Sequence, residues 1–214
     1  MIILIDAGHG KDTKGKQSPK LEASMGIGAE FVEGGRFKEY KYNRVIAGIV
    51  VDLLKEMGYD ARLVVTETND VSLGERVRRI NKVCSEKGAK NVLMVSIHAN
   101  AVGNGSEWMN GKGWEAYSTI GKTVSDELAE CLYDRAAKNL EGRKIRKDKT
   151  DGDSDKEANY YIIKNANCAA VLTENFFYDN KDDLEFMTSE QGIHEVVRTH
   201  IEGILDYIEF KEKK

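Results

Sequence analysis

The sequence predicts a single α/β domain, a mainly parallel twisted sheet with helices on both faces. Three observations carry this. Residues 2–5, 92–97 and 169–173 are short, almost continuous apolar runs, the mark of strands buried on both sides. Longer segments with apolar residues three and four apart stand between them and read as amphipathic helices. The 214 residues contain one proline and no Ser/Gly-rich stretch, so no interdomain linker is expected.

Residues 2–5 form the first strand. A long polar, glycine-containing stretch follows over residues 8–38, and loops of that length in compact domains are usually functional. The first helix is expected over residues 39–57, with Val45, Ile46, Ile49, Val50, Leu53, Leu54 and Met57 on one face and Gly58 ending it. Residues 60–65 read as a strand and 66–70 as a loop. A helix over 71–87 turns Leu73, Val77, Ile80 and Cys84 inward. Residues 92–97 are the strongest strand and so central. A glycine- and asparagine-rich loop over 99–112 leads to a strand at 113–118. The helix at 124–140 buries Leu128, Leu132 and Ala136. The basic run 143–147 and the acidic run 148–157 are expected to form a solvated loop. The strand at 169–173 ends at Glu174. The last helix, 190–208, lines up Ile193, Val196, Val197, Ile201, Ile204, Leu205 and Ile208.

Hydrophobic residues make up 41% and charged residues 32%, an ordinary globular balance. A net charge of -4 offers no electrostatic case for nucleic acid or an anionic membrane as main partner. No apolar run approaches the ~20 residues needed to span a bilayer. The chain opens on a strand rather than a basic, apolar leader, so synthesis in the cytoplasm without a signal peptide is expected. Cys84, Cys131 and Cys168 are far apart and lack a CxxC pair, which argues for buried free thiols. The sequence says nothing of oligomeric state.

Three predicted strands end in a residue of catalytic type: His9, His98 and Glu174. In a parallel sheet all three fall on one edge, where ligands bind in α/β folds. His9 and His98, each beside small residues, read as metal ligands. A catalytic zinc takes three protein ligands and keeps a position for water. The third should be a carboxylate, and Glu39, at the start of the first helix, is the leading candidate. Spacing alone leaves it open against Glu22, Glu30 and Glu33 in the same loop. His194 and His200, six apart on the last helix, do not share a face and read as solvent-edge residues. Arg76, inside a helix, reads as one half of a structural ion pair.

These pieces carry a resemblance. Asp6-Ala7-Gly8-His9-Gly10, Glu39-Tyr40-Lys41-Tyr42-Asn43, Ser72-Leu73-Gly74-Glu75-Arg76, Ser96-Ile97-His98-Ala99-Asn100-Ala101 and the run from Val171 through Glu174 to Asn180 stand in one order along nearly the whole chain. In that order they resemble the zinc-dependent N-acetylmuramoyl-L-alanine amidases of the amidase_3 type. The stretch from Gly10 to Pro19 resembles a variant common in phages and prophages, an endolysin-like form. The resemblance implies Zn2+ held by His9, Glu39 and His98, with Glu174 as the catalytic acid. It implies peptidoglycan as substrate and the bond between N-acetylmuramic acid and L-alanine as the one cut. Two features depart from the pattern: Ala7 stands where a proline is usual, and the interval from His9 to Glu39 is long, which suggests a loop that shapes the substrate groove.

In the same reading Asn100, Asn104 and Trp108 contact sugar or peptide, while Trp114, Phe176 and Phe177 pack. Residues 1–214 are expected to form one catalytic domain with no separate wall-binding domain. The protein is expected to reach the cell wall through a membrane lesion. Two other readings share these residues: a zinc peptidase cutting within the stem peptide, and a non-catalytic wall-binding module with a structural zinc. The second needs four protein ligands, whereas this sequence offers three and a separate Glu174. A phosphate-binding loop is set aside, because the first loop lacks GxGxxG and GKS/GKT spacing.

Overall fold

The computed structural model describes residues 1–150 and 152–213. In chain order its elements are β1 (Ile2–Ala7), β2 (Val32–Glu33), β3 (Arg36–Phe37), α1 (Glu39–Glu56), β4 (Asp60–Leu63), α2 (Leu73–Lys87), β5 (Val92–Asn100), β6 (Trp114–Ser118), α3 (Ser125–Asn139), β7 (Lys156–Glu157), α4 (Tyr161–Lys164), β8 (Ala169–Phe177), α5 (Lys181–Thr188) and α6 (Glu190–Glu212). Six strands form one sheet in the order β4-β1-β5-β8-β6-β7. The pairs from β4 to β8 are parallel, as the alternation of strands and helices requires. The short β6 runs antiparallel to β8 and carries β7 parallel to itself.

The two central strands, β5 and β8, are buried almost throughout, which is why their sequences read as continuous apolar runs. Helix α6 packs against α1 and α3 on one side of the sheet, and α2 with α4 covers the other. Ser72 caps α2, its Oγ accepting from the Glu75 N–H at 3.3 Å. Among the described residues no helix is long and apolar enough to cross a membrane. All three cysteines are free, with Cys84 and Cys168 buried and Cys131 partly so.

Several expectations change. The stretch 8–38 is not a bare loop: β2 and β3 form a hairpin whose two-residue turn is Gly34-Gly35, both at positive φ (61° and 70°). An aromatic cluster anchors that hairpin, with Phe31 and Phe37 each 5.9 Å from Tyr42 and Phe37 stacked 5.7 Å from Tyr178. The acidic segment 148–157 is not fully solvated, because Ser154 and Asp155 are buried. His200 is no solvent-edge residue. It is fully buried on α6, its Nδ1–H donates to the Val196 carbonyl at 2.8 Å, and its Nε2 accepts from the Thr173 hydroxyl at 2.9 Å. Burial lowers its pKa to about 4, so the ring is neutral. His194 is exposed as expected.

The ion pair expected of Arg76 is formed with Asp6 at 2.7 Å, and both side chains are buried. Arg76 also donates to the carbonyls of Ala7 (2.7 Å), Val71 (2.7 Å) and His9 (3.1 Å). The other Asp6 oxygen accepts from Ser96 Oγ at 2.7 Å. Removing one partner of such a pair strands a buried charge and costs about 3–5 kcal/mol. Urea unfolding of Arg76→Met is expected to show a loss of that size. Asp6→Asn combined with Arg76→Met is expected to lose less than the two single changes added together. Strict additivity would show that the pair is not coupled.

Candidate metal centre and groove

Three segments converge beyond the ends of β1 and β5. His9 follows β1 with its backbone in the left-handed region (φ 61°), where a β-carbon is strained. Arginines hold the turn: the His9 carbonyl accepts from Arg44 Nη1 at 2.9 Å and from Arg76 Nη2 at 3.1 Å. His98 lies near the end of β5, and Glu39 opens α1. Position 8 must be glycine, since a β-carbon there would fall 2.2 Å from His98 Cε1.

The rings of His9 and His98 meet edge to face with centroids 4.9 Å apart. Glu39 Oε2 lies 3.5 Å from His9 Nε2, and Oε1 lies 3.2 Å from His98 Nδ1. One ligand atom from each of the three falls within 4.8 Å of the other two. Oε1 also accepts from the Ala99 N–H at 3.2 Å and from Asn43 Nδ2 at 3.3 Å, which fixes the carboxylate. Oε2 is buried without a hydrogen-bond partner. Leaving a buried acceptor open costs roughly 1–3 kcal/mol, more when it is charged. An open carboxylate oxygen beside two imidazoles is the donor set of a catalytic zinc, so the residues present fit the metal. Glu22, Glu30 and Glu33 are exposed instead. Glu22 pairs with Lys181, and Glu33 accepts from the Tyr40 hydroxyl.

Burial lowers the His9 pKa to about 4 against the pull of Glu39, so the ring is neutral at pH 7 and able to ligate. Burial works the other way on Glu39, but His9, His98 and Lys16 outweigh it and hold the carboxyl down at about 2. Lys16 Nζ is 3.9 Å from Oε2. Burial also opposes protonation of His98, but its hydrogen bond to Glu39 prevails and raises its pKa.

Strand register puts Glu174 directly beside His98 on β5 and beside Glu115 on β6. Cross-strand neighbours share a face, so the three project together. The carboxylates of Glu174 and Glu115 have opposite fates. Burial is the main cause that pushes Glu174 up to about 8, with Glu39 adding to it and His98 opposing. For Glu115 burial is outweighed by Lys156 (2.9 Å), Arg146 (2.6 Å) and the Tyr117 hydroxyl (2.8 Å), and its pKa falls. Glu115 escapes a sequence reading because its partners come from distant segments; the one signal was an acid inside an otherwise apolar strand.

A buried polar chain fixes this face from behind. Trp114 Nε1 donates to Asn175 Oδ1 (2.8 Å), and Asn175 Nδ2 donates to the His98 carbonyl (2.9 Å) and to Thr173 Oγ1 (3.2 Å), which in turn meets His200. In front lies a groove of about 210 Å³ lined by Lys14, Lys16, Asn100, Ala101, Glu174 and Tyr178 among others. Asn100 Nδ2 donates to Glu115 Oε1 at 2.7 Å. Trp108 stands outside that lining, partly buried, with Lys181 Nζ 5.6 Å from its ring centre. Phe176 is buried against Phe186, centroids 5.1 Å apart.

Fold and site together define an α/β protein with a His–Glu–His group able to hold a metal at the carboxyl edge of its sheet. The chain belongs to the N-acetylmuramoyl-L-alanine amidase family, whose model matches residues 3–206. It is 29% identical to the endolysin of Bacillus phage SPP1 over 99% of this chain and 68% of the endolysin. It is 33% identical to the N-acetylmuramoyl-L-alanine amidase LytC of Bacillus subtilis (strain 168), over 85% of this chain but only 30% of LytC. Among solved structures it resembles the N-acetylmuramoyl-L-alanine amidase AmiC2 of Nostoc punctiforme at 25% identity, with a TM-score of 0.71, covering 98% of this chain and 97% of that one.

In the metal-free protein the Glu174 carboxyl keeps its proton up to about pH 8, whereas in the unfolded chain it ionises near its ordinary value of 4.5. The folded state binds the extra proton, so this group's contribution to stability falls as pH rises through that window. Metal-free Glu174→Gln is therefore expected to melt on the order of 10 °C above the parent at about pH 9 and level with it at about pH 4. Equal melting temperatures at both pH values would contradict the raised pKa.

Proposed function

We propose that the chain is a zinc-dependent N-acetylmuramoyl-L-alanine amidase. It hydrolyses the amide between the lactyl group of N-acetylmuramic acid and the L-alanine of the peptidoglycan stem peptide. The observation that carries this reading is the His9–Glu39–His98 group beside Glu174 on one sheet face. Family membership supports the bond, and the likeness to a phage endolysin supports action on a cell wall, reached through a membrane lesion.

His9, Glu39 and His98 would hold the zinc. When bound, zinc supplies Lewis-acid polarisation of the scissile carbonyl and lowers the pKa of water towards ~7. Glu174 takes a proton from the attacking water and returns it to the departing L-alanine nitrogen. A carboxyl serves both steps when its pKa lies near the working pH, which burial arranges here. One water is consumed, the C–N bond breaks, and a lactyl carboxylate and a free amine result. Glu115, held ionised by Arg146 and Lys156, keeps Asn100 in place rather than moving protons. One Asn100 amide hydrogen goes to Glu115, and the second remains for a substrate oxygen. Trp108 is assigned a contact with glycan or peptide beyond the groove. The continuous hydrophobic core among the described residues supports reading residues 1–214 as a single catalytic unit.

Digestion of purified sacculi followed by mass analysis tests this. The zinc-loaded parent is expected to release intact stem peptides with a free N-terminal L-alanine. Glu174→Gln is expected to keep its zinc and act roughly 10²–10⁴-fold more slowly. Truncated stem peptides would indicate a peptidase instead, and undiminished lysis by Glu174→Gln would remove the assigned role.

A further inference from the structure

A second carboxylate group shares no residue with the one above. Glu130 of α3 and Asp153 and Asp155 of the segment before β7 each offer an oxygen within 4.8 Å of the other two. Acidic residues gather on many surfaces without purpose, but Asp155 is not a surface residue. It is 1% exposed, and neither of its carboxylate oxygens meets a hydrogen-bond donor in good geometry, the Ser118 hydroxyl and the Asp153 carboxyl being the polar groups close to it. Burial of a carboxylate is tolerated when it is paired, hydrogen-bonded or bound to a metal. The nearby Lys147 ammonium is directed at the Ser154 hydroxyl (3.3 Å) and the Tyr133 ring (5.5 Å). Ser118 directs its hydroxyl to the Thr119 carbonyl at 3.3 Å. Burial, reinforced by Asp153 and opposed by Ser118, pushes the Asp155 carboxyl up to about 7.

We propose that Glu130, Asp153 and Asp155 form a binding site for a hard divalent cation, calcium, which pins the segment before β7 to α3. The donors are oxygens alone, with no imidazole or thiolate, which suits calcium and not zinc. Calcium–oxygen distances of roughly 2.3–2.6 Å allow ligand oxygens up to about 5 Å apart, and the three oxygens here lie within 4.8 Å of one another. The Ser154 N–H donates to Glu130 and orients that carboxylate. An adjoining groove of about 480 Å³, lined in part by Asp126, Asp153 and Glu157, gives the ion and its waters access. The consequence reaches the catalytic face. Lys156 follows Asp155 directly, and its Nζ lies 2.9 Å from Glu115, the neighbour of Glu174.

Calorimetric titration of the whole, metal-stripped chain with calcium chloride, paired with thermal melts, tests the proposal. The parent is expected to bind one calcium and to melt several degrees higher with it. His98→Ala is expected to do the same, which separates this site from the histidine group. Asp155→Asn is expected to bind at least tenfold more weakly and to lose the thermal shift. Glu130→Gln gives the same reading should Asp155→Asn fail to fold. No heat and no shift in the parent, or parental affinity in the folded variants, would overturn the site.

Discussion

A buried ion pair, Asp6 with Arg76, sets the edge of the sheet where the chemistry gathers. Asp6 is the penultimate residue of β1, and its two oxygens face different elements, one bonded to Arg76 of α2 and the other to Ser96 of β5. The same guanidinium reaches the carbonyls of Ala7 and His9. One side chain therefore holds the strand end, the turn after it and the helix behind it. The strained backbone at His9 persists because Arg44 and Arg76 both bind its carbonyl. Relax that turn and the His9 ring no longer faces His98. Ion pairs of this kind add little net stability over an apolar replacement. Here the return is a defined position for one imidazole.

From that position the electrostatics follow. Two imidazoles, one neutral by burial, flank a carboxylate with an unpartnered oxygen. On the next strands the fold sets two carboxylates side by side and drives them apart. Glu115 receives two cations and a hydroxyl, while for Glu174 burial outweighs the opposing pull of His98 and Lys16. Neighbouring acids tuned in opposite directions are how one site obtains both a fixed charge and a mobile proton. The buried chain from Trp114 through Asn175 and Thr173 to His200 keeps Glu174 on its strand beside His98. Residues distant in sequence thus serve one geometry.

Much of this was legible in the sequence. Strands β1, β5 and β8 carry nearly unbroken apolar runs because both of their faces are buried, so the parallel sheet was readable. That His9 follows a strand was readable for the same reason, whereas His98 and Glu174, read as strand ends, lie inside β5 and β8, which run on to Asn100 and Phe177. Choosing Glu39 among four glutamates was not a matter of spacing, since it depends on how the hairpin folds the stretch 8–38 back. The Gly34-Gly35 pair signalled that hairpin, but the flanking strands have two residues each, too few to show alternation. The antiparallel run of β6 depends on which sheet edge it joins, and a five-residue strand does not encode that. His200 misled because burial of a histidine depends on a partner, Thr173, on another element. Asp155 misled likewise: a run of acids reads as solvated until tertiary packing covers one of them.

The central claim is that His9, Glu39 and His98 bind one zinc. X-ray absorption at the zinc edge of the loaded protein tests it most directly. Two imidazole nitrogens at roughly 2.0–2.1 Å, the remaining ligands oxygen and no sulfur, are predicted, with His98→Ala losing one imidazole. A sulfur ligand, or an unchanged imidazole count in His98→Ala, would contradict it.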